Sequence, residues 1–556
     1  MCSSDLVMPP DNARPSTRRE VTLAAVLMIM GILGSRVLGL VRVQVQSWWF
    51  DPAEVGALRA AFVIPDLLLY IVAGGALRAG FVPLFVGLLE AARDPAARAR
   101  AWALFSALVT WVALLSVALI AVGMIFTPAI IAPLTGTWSA HGGFTPEQVE
   151  LTVRLTRLLL PAQIFLLVGG VLSGTLDAMR RSKLTALVPA VYNAAIIVGM
   201  ALLGGSLGVA SAAWGVLVGA LVGHFAWQAY ALWREGRALD ISFRPTLGRG
   251  EPLVGEVLRI AAPVVLGLCV AEINLKIAEV VNAQFGASAV AWFDNASKLA
   301  RLPDGVFGAG LGIAIYPYLS HLAAEGREDD YRRQAGHVLR LAIICTAPLA
   351  IWLIVCPQPV VALLFGHGQY GIQDVTETSV LLAGQALGIV PLTLSVILTR
   401  MFYARGDTRT PLHCGGWSIV FATAASLLLA RSQLRVAGPA LAFSFACWFN
   451  TVWLLVYYRR RGGLTRARGL VRSAVLSHAA GVLGGGAALL TSTWVGAVMP
   501  GGVRAAAVQT GASLLVLLTV YLMLLWWWKL DELTMLWTQV RKRLRPSALG
   551  GGETEP

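Results

Sequence analysis

The chain has 556 residues, of which 57% are hydrophobic and only 13% are charged, and its mean hydropathy is +0.71. Ordinary soluble domains carry about 25% charged residues, so this composition excludes a soluble globular protein and indicates a polytopic, all-α membrane protein. The net charge of +14 does not indicate nucleic acid, because most of the excess lies in short loops that set topology and meet anionic membrane lipids.

The polar residues give no sign of an enzyme. The seven histidines are scattered along the chain, and the six cysteines lack metal-ligand spacing. Neither a Gly-rich phosphate loop nor a nucleophile–base pair is present. We therefore expect no catalytic residues, no cofactor and no ATP-driven transport by this chain alone.

Apolar segments recur along the whole chain, each with the roughly 20 residues that a spanning helix needs. They predict fourteen transmembrane helices, and Pro65 and Pro303 predict a bend or break in the second and the eighth. In chain order the approximate extents are 21–48, 53–88, 100–128, 147–178, 184–204, 208–233, 253–284, 287–322, 332–357, 374–404, 411–430, 436–458, 470–495 and 503–529.

Basic residues provide an independent test of this count, because Lys and Arg gather in the cytoplasmic loops of membrane proteins. They occur in the N-terminal tail, in every second predicted loop and in the C-terminal tail, whereas the intervening loops hold only Arg431, Arg435 and Arg504. This alternation predicts an even number of spans with both termini in the cytoplasm.

An internal repeat relates the two halves of the chain, because Ile64-Pro65-Asp66 is echoed by Leu302-Pro303-Asp304. The offset of about six spans is even, so the two units insert in the same orientation, as in parallel-repeat transporters. The predicted organisation is a disordered cytoplasmic tail at 1–20, six-helix lobes at 21–233 and 253–461 joined by a cytoplasmic linker at 234–252, two additional helices at 462–530 and a basic cytoplasmic tail at 531–556.

Several cations fall inside predicted spans. A cation near the bilayer centre costs about 2.5–3.5 kcal/mol on insertion scales, so it usually faces a wet cavity or a partner. Together these cations predict a basic chamber that suits an anionic cargo. They are Arg36 and Arg42 in the first span, Arg59 and Arg78 in the second, and Lys276, Lys298 and Arg301 in the corresponding part of the second half.

Glu272, Lys276 and Glu279 share one face of the seventh predicted helix, because their spacings are four and three residues. Two interpretations stay open: an ion pair neutralised within the helix, or a coupling site where a carboxylate binds a proton or a sodium ion. Asn450 of the twelfth helix would contribute a ligand in the second case. Coupling to the membrane potential is also open.

Five motifs in order along the chain carry a family resemblance: residues 34–42 (GSRVLGLVR), 65–68 (PDLL), 302–306 (LPDGV), 364–368 (LFGHG) and 402–411 (FYARGDTRTP). They resemble motifs of the MurJ (MviN) lipid II flippases, within the multidrug/oligosaccharidyl-lipid/polysaccharide (MOP) exporter superfamily. The resemblance implies two six-helix lobes plus two helices, working by alternating access. It also implies transfer of lipid II, the undecaprenyl-pyrophosphate-linked peptidoglycan precursor, to the outer leaflet of the bacterial cytoplasmic (inner) membrane for cell wall biosynthesis.

The resemblance also assigns site residues. Arg36 and Arg42 match family cavity arginines, with Ser35 in the same motif, and Lys298 stands where the family usually has arginine. A lysine keeps the charge but loses the planar fork that binds phosphate through two hydrogen bonds. The cations without a family counterpart would restore positive charge from other positions; they are Arg59, Arg78 and Arg301.

Five family positions differ in this chain. Gly56, Gly74, Ser297 and Arg301 stand where the resemblance implies acidic residues, and Leu69 stands where it implies arginine. These departures keep two alternatives open beside lipid II transfer. One is a flippase for another polyprenyl-linked oligosaccharide, of the O-antigen type. The other is a non-transporting membrane scaffold that recruits cell wall synthesis proteins.

Overall fold

The computed structural model describes residues 34–530 and Glu532, apart from 36, 74–75, 91–94, 138, 140–141, 180, 237–242, 249–251, 463–466 and 500. The side chains of residues 70–79, 90, 95, 182, 252, 258, 260–269, 271, 309 and 467–468 also lie outside the described set, as do the predicted tails at 1–20 and, except for Glu532, 531–556. Within the described residues the chain is helical and has no β-strand, which confirms the all-α class.

The helices follow one another with short connections. In chain order they are α1 (37–49), α2 (Pro52–Ala61), α3 (Val63–Ala73), α4 (Ala76–Glu90), α5 (Pro95–Leu134), α6 (Pro146–Leu159), α7 (Ala162–Ala178), α8 (Ser182–Thr185), α9 (Val188–Leu207), α10 (Ala210–Gly219), α11 (Trp227–Gly236), α12 (Pro252–Asn282), α13 (Ala287–Ala300), α14 (Ala309–Ala324), α15 (Glu328–Val355), α16 (Pro357–Phe365), α17 (Ile372–Ala386), α18 (Ile389–Ala404), α19 (Arg409–Ala430), α20 (Ala437–Arg460), α21 (Ala467–Val498) and α22 (Val503–Trp527).

Ten helical segments in the described part of the chain are long and apolar enough to cross a membrane, and α17 with α18, bent by 44°, makes an eleventh. These eleven coincide with predicted spans, which confirms a multi-pass membrane protein. The other three predicted spans, 21–48, 53–88 and 253–284, include residues or side chains outside the described set. The total of fourteen therefore stays a prediction.

Prolines accompany breaks in two of the predicted long helices. The second breaks at Phe62, between α2 and α3, which places Pro65 in the first turn of α3. Proline is tolerated there because the first N–H groups of a helix have no intrahelical partner to lose. The eighth breaks at Arg301, and Pro303 lies just before a π-helical turn that starts at Asp304. Both predicted breaks are confirmed.

The chain divides into two compact units that interleave in sequence. The described residues of unit 1 fall in Met1–Gln46, Ile64–Thr127 and Leu155–Ala262, and those of unit 2 in Ser47–Val63, Pro128–Arg154 and Pro263–Pro556. These boundaries cut through α1, α3, α5, α6 and α12, so the compact units and the predicted repeat lobes are different divisions of the chain. The lobe boundaries stay a prediction.

Unit 1 is held by aromatic packing and by close helix contacts. Phe85 of α4 meets Trp102 of α5 edge to face, with ring centroids 5.5 Å apart. Gly80 lets α4 approach α12, because an added Cβ would lie 2.6 Å from the carbonyl oxygen of Val257. Van der Waals packing of this kind matters in a bilayer, because apolar side chains gain little free energy when they move from lipid tails into a contact between helices.

In unit 2, the hairpin of α21 and α22 packs on α15. The hydroxyl of Tyr521 donates to the carbonyl of Ile344 over 2.7 Å, and the indole N–H of Trp352 donates to Ser513 Oγ over 3.1 Å. Hydrogen bonds between buried polar groups hold membrane helices in a defined register. α22 is therefore anchored to α15 by polar contacts, and α21 packs against the same helix.

Candidate functional site

A close helix contact joins α2 and α13 within unit 2. Gly56 of α2 lies against Ala287 of α13, and an added Cβ would be only 1.8 Å from the carbonyl oxygen of Ala287. A glycine at this position permits the approach. Ala60 and Val290 pack in the same apolar cluster. The contact brings the face of α2 that carries Arg59 against α13.

Asp294 of α13 joins two cations from different helices. Nε of Arg59 lies 2.7 Å from Oδ2 of Asp294, and the ammonium group of Lys298 contacts the same oxygen. Lys298 follows Asp294 by four residues, a spacing that places both side chains on one face of a helix. One carboxylate therefore serves two cations.

Two further ion pairs involve α12. The guanidinium of Arg301 binds both carboxylate oxygens of Glu272, with Nη1 and Oε2 3.0 Å apart, the strong bidentate form of this interaction. Lys276 Nζ lies 3.0 Å from Oε2 of Glu279, three residues along the same helix. On the predicted face of α12, Lys276 and Glu279 thus pair with each other. Glu272 pairs instead with Arg301, which follows α13.

These ion pairs form a group that we call the α12–α13 network. Because a low dielectric strengthens attraction between opposite charges and penalises a lone charge, the network can persist among apolar helices. Four cations and three carboxylates leave it with one net positive charge. Its members are Arg59, Lys276, Lys298, Arg301, Glu272, Glu279 and Asp294.

Uncharged polar groups link α12 to α19 and α20. Nδ2 of Asn274 donates to Ser418 Oγ over 3.0 Å, and the Ser418 hydroxyl donates to the carbonyl of Ala446 over 3.1 Å. The side-chain oxygens of Asn274 and Asn450 are buried and accept no hydrogen bond from any described residue. No group of three or more His, Cys, Asp or Glu side chains that could hold a metal ion occurs within the described part of the chain.

The remaining predicted site residues lie in unit 1 or outside the described set. The backbone carbonyl of Ser35 accepts a hydrogen bond from Nδ2 of Asn193 over 3.5 Å, and Arg42 is half-buried on α1. Arg36 and the side chain of Arg78 lie outside the described residues. The roles predicted for these four residues stay predictions.

Sequence reasoning missed Asp294, which is the centre of the α12–α13 network. Its spacing of four residues from Lys298 is the signal that could have found it, since an acid four residues before a lysine is a favourable helical pair. Its contact with Arg59 has no such local signal, because the two residues are distant in the chain.

A family model described as lipid II flippase MurJ matches residues 51–503 of this chain. The chain belongs to the MurJ family. The lipid II flippase MurJ of Burkholderia cenocepacia is 28% identical to it over 466 residues, which are 83% of this chain and 88% of that protein.

Solved structures extend the comparison to the fold. A lipid II flippase MurJ in an inward closed conformation covers 90% of this chain and 98% of that one, with a TM-score of 0.73 at 19% identity. An inward-facing multidrug resistance MATE transporter of the MOP superfamily covers 77% and 94%, with a TM-score of 0.64 at 17% identity. These similarities confirm the predicted transporter fold.

Packing and hydrogen bonding account for two of the residues that stand where the resemblance implies acidic side chains in this MurJ-family chain. Gly56 contacts the backbone of α13 so closely that an acidic side chain has no room there. Ser297 is buried, and its hydroxyl donates to the carbonyl of Phe293 in its own helix over 2.7 Å. Asp294 and Glu272 supply carboxylates to this region instead.

Leu69 and Gly74 are two other residues that stand where the resemblance implies charged side chains. Leu69 packs against the aromatic core of unit 1, which a charged arginine could not do without a partner. Gly74 lies outside the described residues.

Proposed function

We propose that this MurJ-family protein moves lipid II from the inner to the outer leaflet of the bacterial cytoplasmic membrane by alternating access, for cell wall biosynthesis. Family membership supports the substrate, because the relative from Burkholderia cenocepacia is itself named a lipid II flippase. The observation that carries the proposal in this chain is the net positive α12–α13 network within a protein of apolar spans. An anionic pyrophosphate headgroup is the kind of cargo that such a charge attracts.

The carboxylate of Asp294 gives this proposal a binding step. Arg59 and Lys298 both pair with Asp294. When a pyrophosphate oxygen binds one of these cations in place of Asp294, the other cation keeps its pair with Asp294. No charge is stranded in the low dielectric during this exchange. Arg301 is held through two hydrogen bonds to Glu272, and we expect it to stay structural.

Other parts of the proposal rest on the sequence. Arg36 and Arg42 would add the cationic contacts that the family resemblance implies, and the loop charges favour both termini in the cytoplasm. The pairing of Lys276 with Glu279 favours a structural role for these two residues over a role in binding a coupling ion.

Depletion of a host cell's own lipid II flippase, with this chain supplied in trans, tests the function. We expect lipid II to reach the outer leaflet again, measured by its accessibility to a reagent added outside the cell, together with restored growth. Failure of transfer despite correct membrane insertion would contradict the lipid II assignment.

Single substitutions test the basic chamber in the same strain. Arg36→Ala and Lys298→Ala should each reduce lipid II at the outer leaflet. Arg154→Ala is the matched control, because Arg154 is 74% exposed and pairs with Glu150 on its own helix. Transfer by Arg36→Ala at the level of the parent would remove the basic-chamber mechanism.

The same strain distinguishes the two alternatives. Transfer of an O-antigen-type polyprenyl-linked oligosaccharide, without transfer of lipid II, would assign the chain to that substrate. Absence of transfer for both lipids, with cross-linking to cell wall synthesis proteins, would favour a scaffold.

A further inference from the structure

Asp304 lies where the helical path of α13 and α14 is interrupted. Pro303 precedes it, and residues Asp304–Gly308 form a π-helical turn before α14 begins. π-turns between α-helical segments are frequent at functional sites, and broken helices often line the binding sites of membrane transporters. α18 packs against this turn. The turn is therefore a candidate hinge that carries an ionisable group.

The carboxylate of Asp304 folds back into a notch left by the missing side chain of Gly308. An added Cβ at Gly308 would lie 2.1 Å from Asp304 Oδ1 and 3.4 Å from Cα of Thr393 on α18. Oδ1 is buried, and neither it nor the Thr393 hydroxyl meets hydrogen-bond geometry with a described residue. The Thr393 hydroxyl interacts with the carboxylate, so the notch encloses a carboxylate oxygen that has a neighbouring hydroxyl but no well-formed hydrogen bond among the described residues.

Charged and titratable groups from several elements face Asp304. The nearest cation in sequence, Arg301, is already bound by both oxygens of Glu272, so its charge is largely neutralised. Arg400 of α18 acts both on Asp304 and on Tyr316 of α14. The described groups that act on Asp304 are Glu272 of α12, Arg301 after α13, Thr393 and Arg400 of α18, and Cys447 of α20.

Asp304 takes no part in the ion pairs of the α12–α13 network, unlike the carboxylates of that network. Glu272, Glu279 and Asp294 each contact a cation, so protonation of any of them would break an ion pair. A buried carboxylate oxygen without an ion pair or a well-formed hydrogen bond is instead costly in its ionised form, and a proton removes that cost. Asp304 is the group in this region whose protonation leaves every ion pair of the network intact.

We propose that Asp304 binds and releases a proton at the hinge between α13 and α14, and that its neutral form keeps the carboxylate in the Gly308 notch. The ionised form requires water around Oδ1, so deprotonation favours movement of the turn away from α18. The link between this hinge and transport rests on the proposed function, whereas the proton site is a property of the chain alone.

Infrared difference spectroscopy of the purified full-length protein in lipid nanodiscs, recorded between acidic and alkaline buffers without lipid II, tests the proton site. The parent should show the carbonyl stretch of a protonated carboxyl group in an apolar environment, which disappears as the pH rises. Asp304→Asn should abolish this band. Glu325→Gln should retain it, because Glu325 is an exposed carboxylate just after α14.

Gly308→Ala tests the notch while leaving Asp304 in place. The added methyl group displaces the carboxylate, so the band should shift towards the position of a solvated carboxyl group. Difference spectra of the parent and Asp304→Asn that coincide at every pH would overturn the proposal. An unshifted band in Gly308→Ala would equally overturn the role of the notch.

Lipid II transfer in the depletion strain separates this proposal from the proposed function. Asp304→Asn should lower lipid II at the outer leaflet, whereas Glu325→Gln should support it as the parent does. If the parent shows the Asp304-dependent band but moves no lipid II, the result would support the proton site and contradict the lipid II assignment. Full transfer by Asp304→Asn would remove the link between the proton and transport.

Discussion

Two sets of ion pairs in unit 2 use the same residue types in different surroundings. In the α12–α13 network, the exposed fraction of the paired side chains runs from 6% for Glu279 to 33% for Arg301. At the turn between α18 and α19, Asp407, which is 16% exposed, pairs with Arg461, which is 51% exposed. Water solvates the guanidinium of Arg461 at the turn, whereas the charged groups of the network are stabilised mainly by their protein partners. The loss of one partner should therefore cost more in the network than in the turn.

The largest expected effect is at Asp294, the carboxylate shared by two cations of the network. Asp294→Asn leaves Arg59 and Lys298 without a counter-charge and should lower the free energy of unfolding by about 3–5 kcal/mol. Thermal unfolding of the purified protein in detergent measures this loss. Glu150→Gln, which breaks the exposed pair with Arg154, should change stability by less than about 0.5 kcal/mol. Equal effects of the two substitutions would erase the contrast between buried and exposed pairs.

The packing that supports the network gives the next effect. Gly56→Ala forces a methyl group against the Ala287 carbonyl and should destabilise the protein by about 1–3 kcal/mol. Gly87→Ala on α4 is the matched control, because an added Cβ there meets nothing within 4 Å. The control should be neutral or stabilising by up to about 1 kcal/mol. A melting temperature for Gly56→Ala at or above that of the parent would contradict a tight α2–α13 contact.

A smaller effect is expected near the turn between α18 and α19. Arg405 pairs with Glu328 and lies over the ring of Tyr331, with its guanidinium carbon 4.3 Å from the ring centroid. Arg405→Lys keeps the charge but loses the planar stacking group, which should cost about 0.5–1 kcal/mol in denaturant unfolding. Arg333→Lys, at a cation that is 75% exposed, should leave the unfolding midpoint unchanged. A larger loss of stability for Arg405→Lys than for Asp294→Asn would reverse the proposed ranking of the two regions.

The smallest effect is a pH dependence at Asp407. Burial raises the pKa of this carboxyl, but hydrogen bonds from the Thr410 N–H and hydroxyl and the charge of Arg461 outweigh burial and lower it. An Asp with a lowered folded pKa stabilises the fold above its unfolded pKa of about 3.9, and this stabilisation is lost as the pH falls from there through the folded pKa. Asp407→Asn should therefore lose less stability on acidification than the parent.

Melting temperatures of the parent and Asp407→Asn at neutral pH and below about pH 4 measure this difference. Asp329→Asn is the control, because Asp329 is 89% exposed and should follow the parent at both pH values. Parallel acid profiles for the parent and Asp407→Asn would show that this carboxylate does not contribute to stability through its ionisation.

Local sequence was sufficient for the class of fold and for the position of most spans. Spanning a bilayer requires a continuous apolar segment, which a window of about 20 residues reveals. Eleven predicted spans coincide with helices of the described chain, and Pro65 and Pro303 lie at breaks because proline lacks the N–H that a helix interior needs. The motifs of the MurJ family are local in the same sense, so the family could be identified before the structure was known.

The sequence by itself determined which cations fall within predicted membrane spans, and only the tertiary structure decided what holds them. Arg59 and Asp294 are distant in the chain, yet packing of Gly56 on Ala287 brings Nε and Oδ2 within 2.7 Å. Hydrogen bonds and close ion pairs act over about 3–4 Å, so the partner of each cation depends on helix packing that no local window contains.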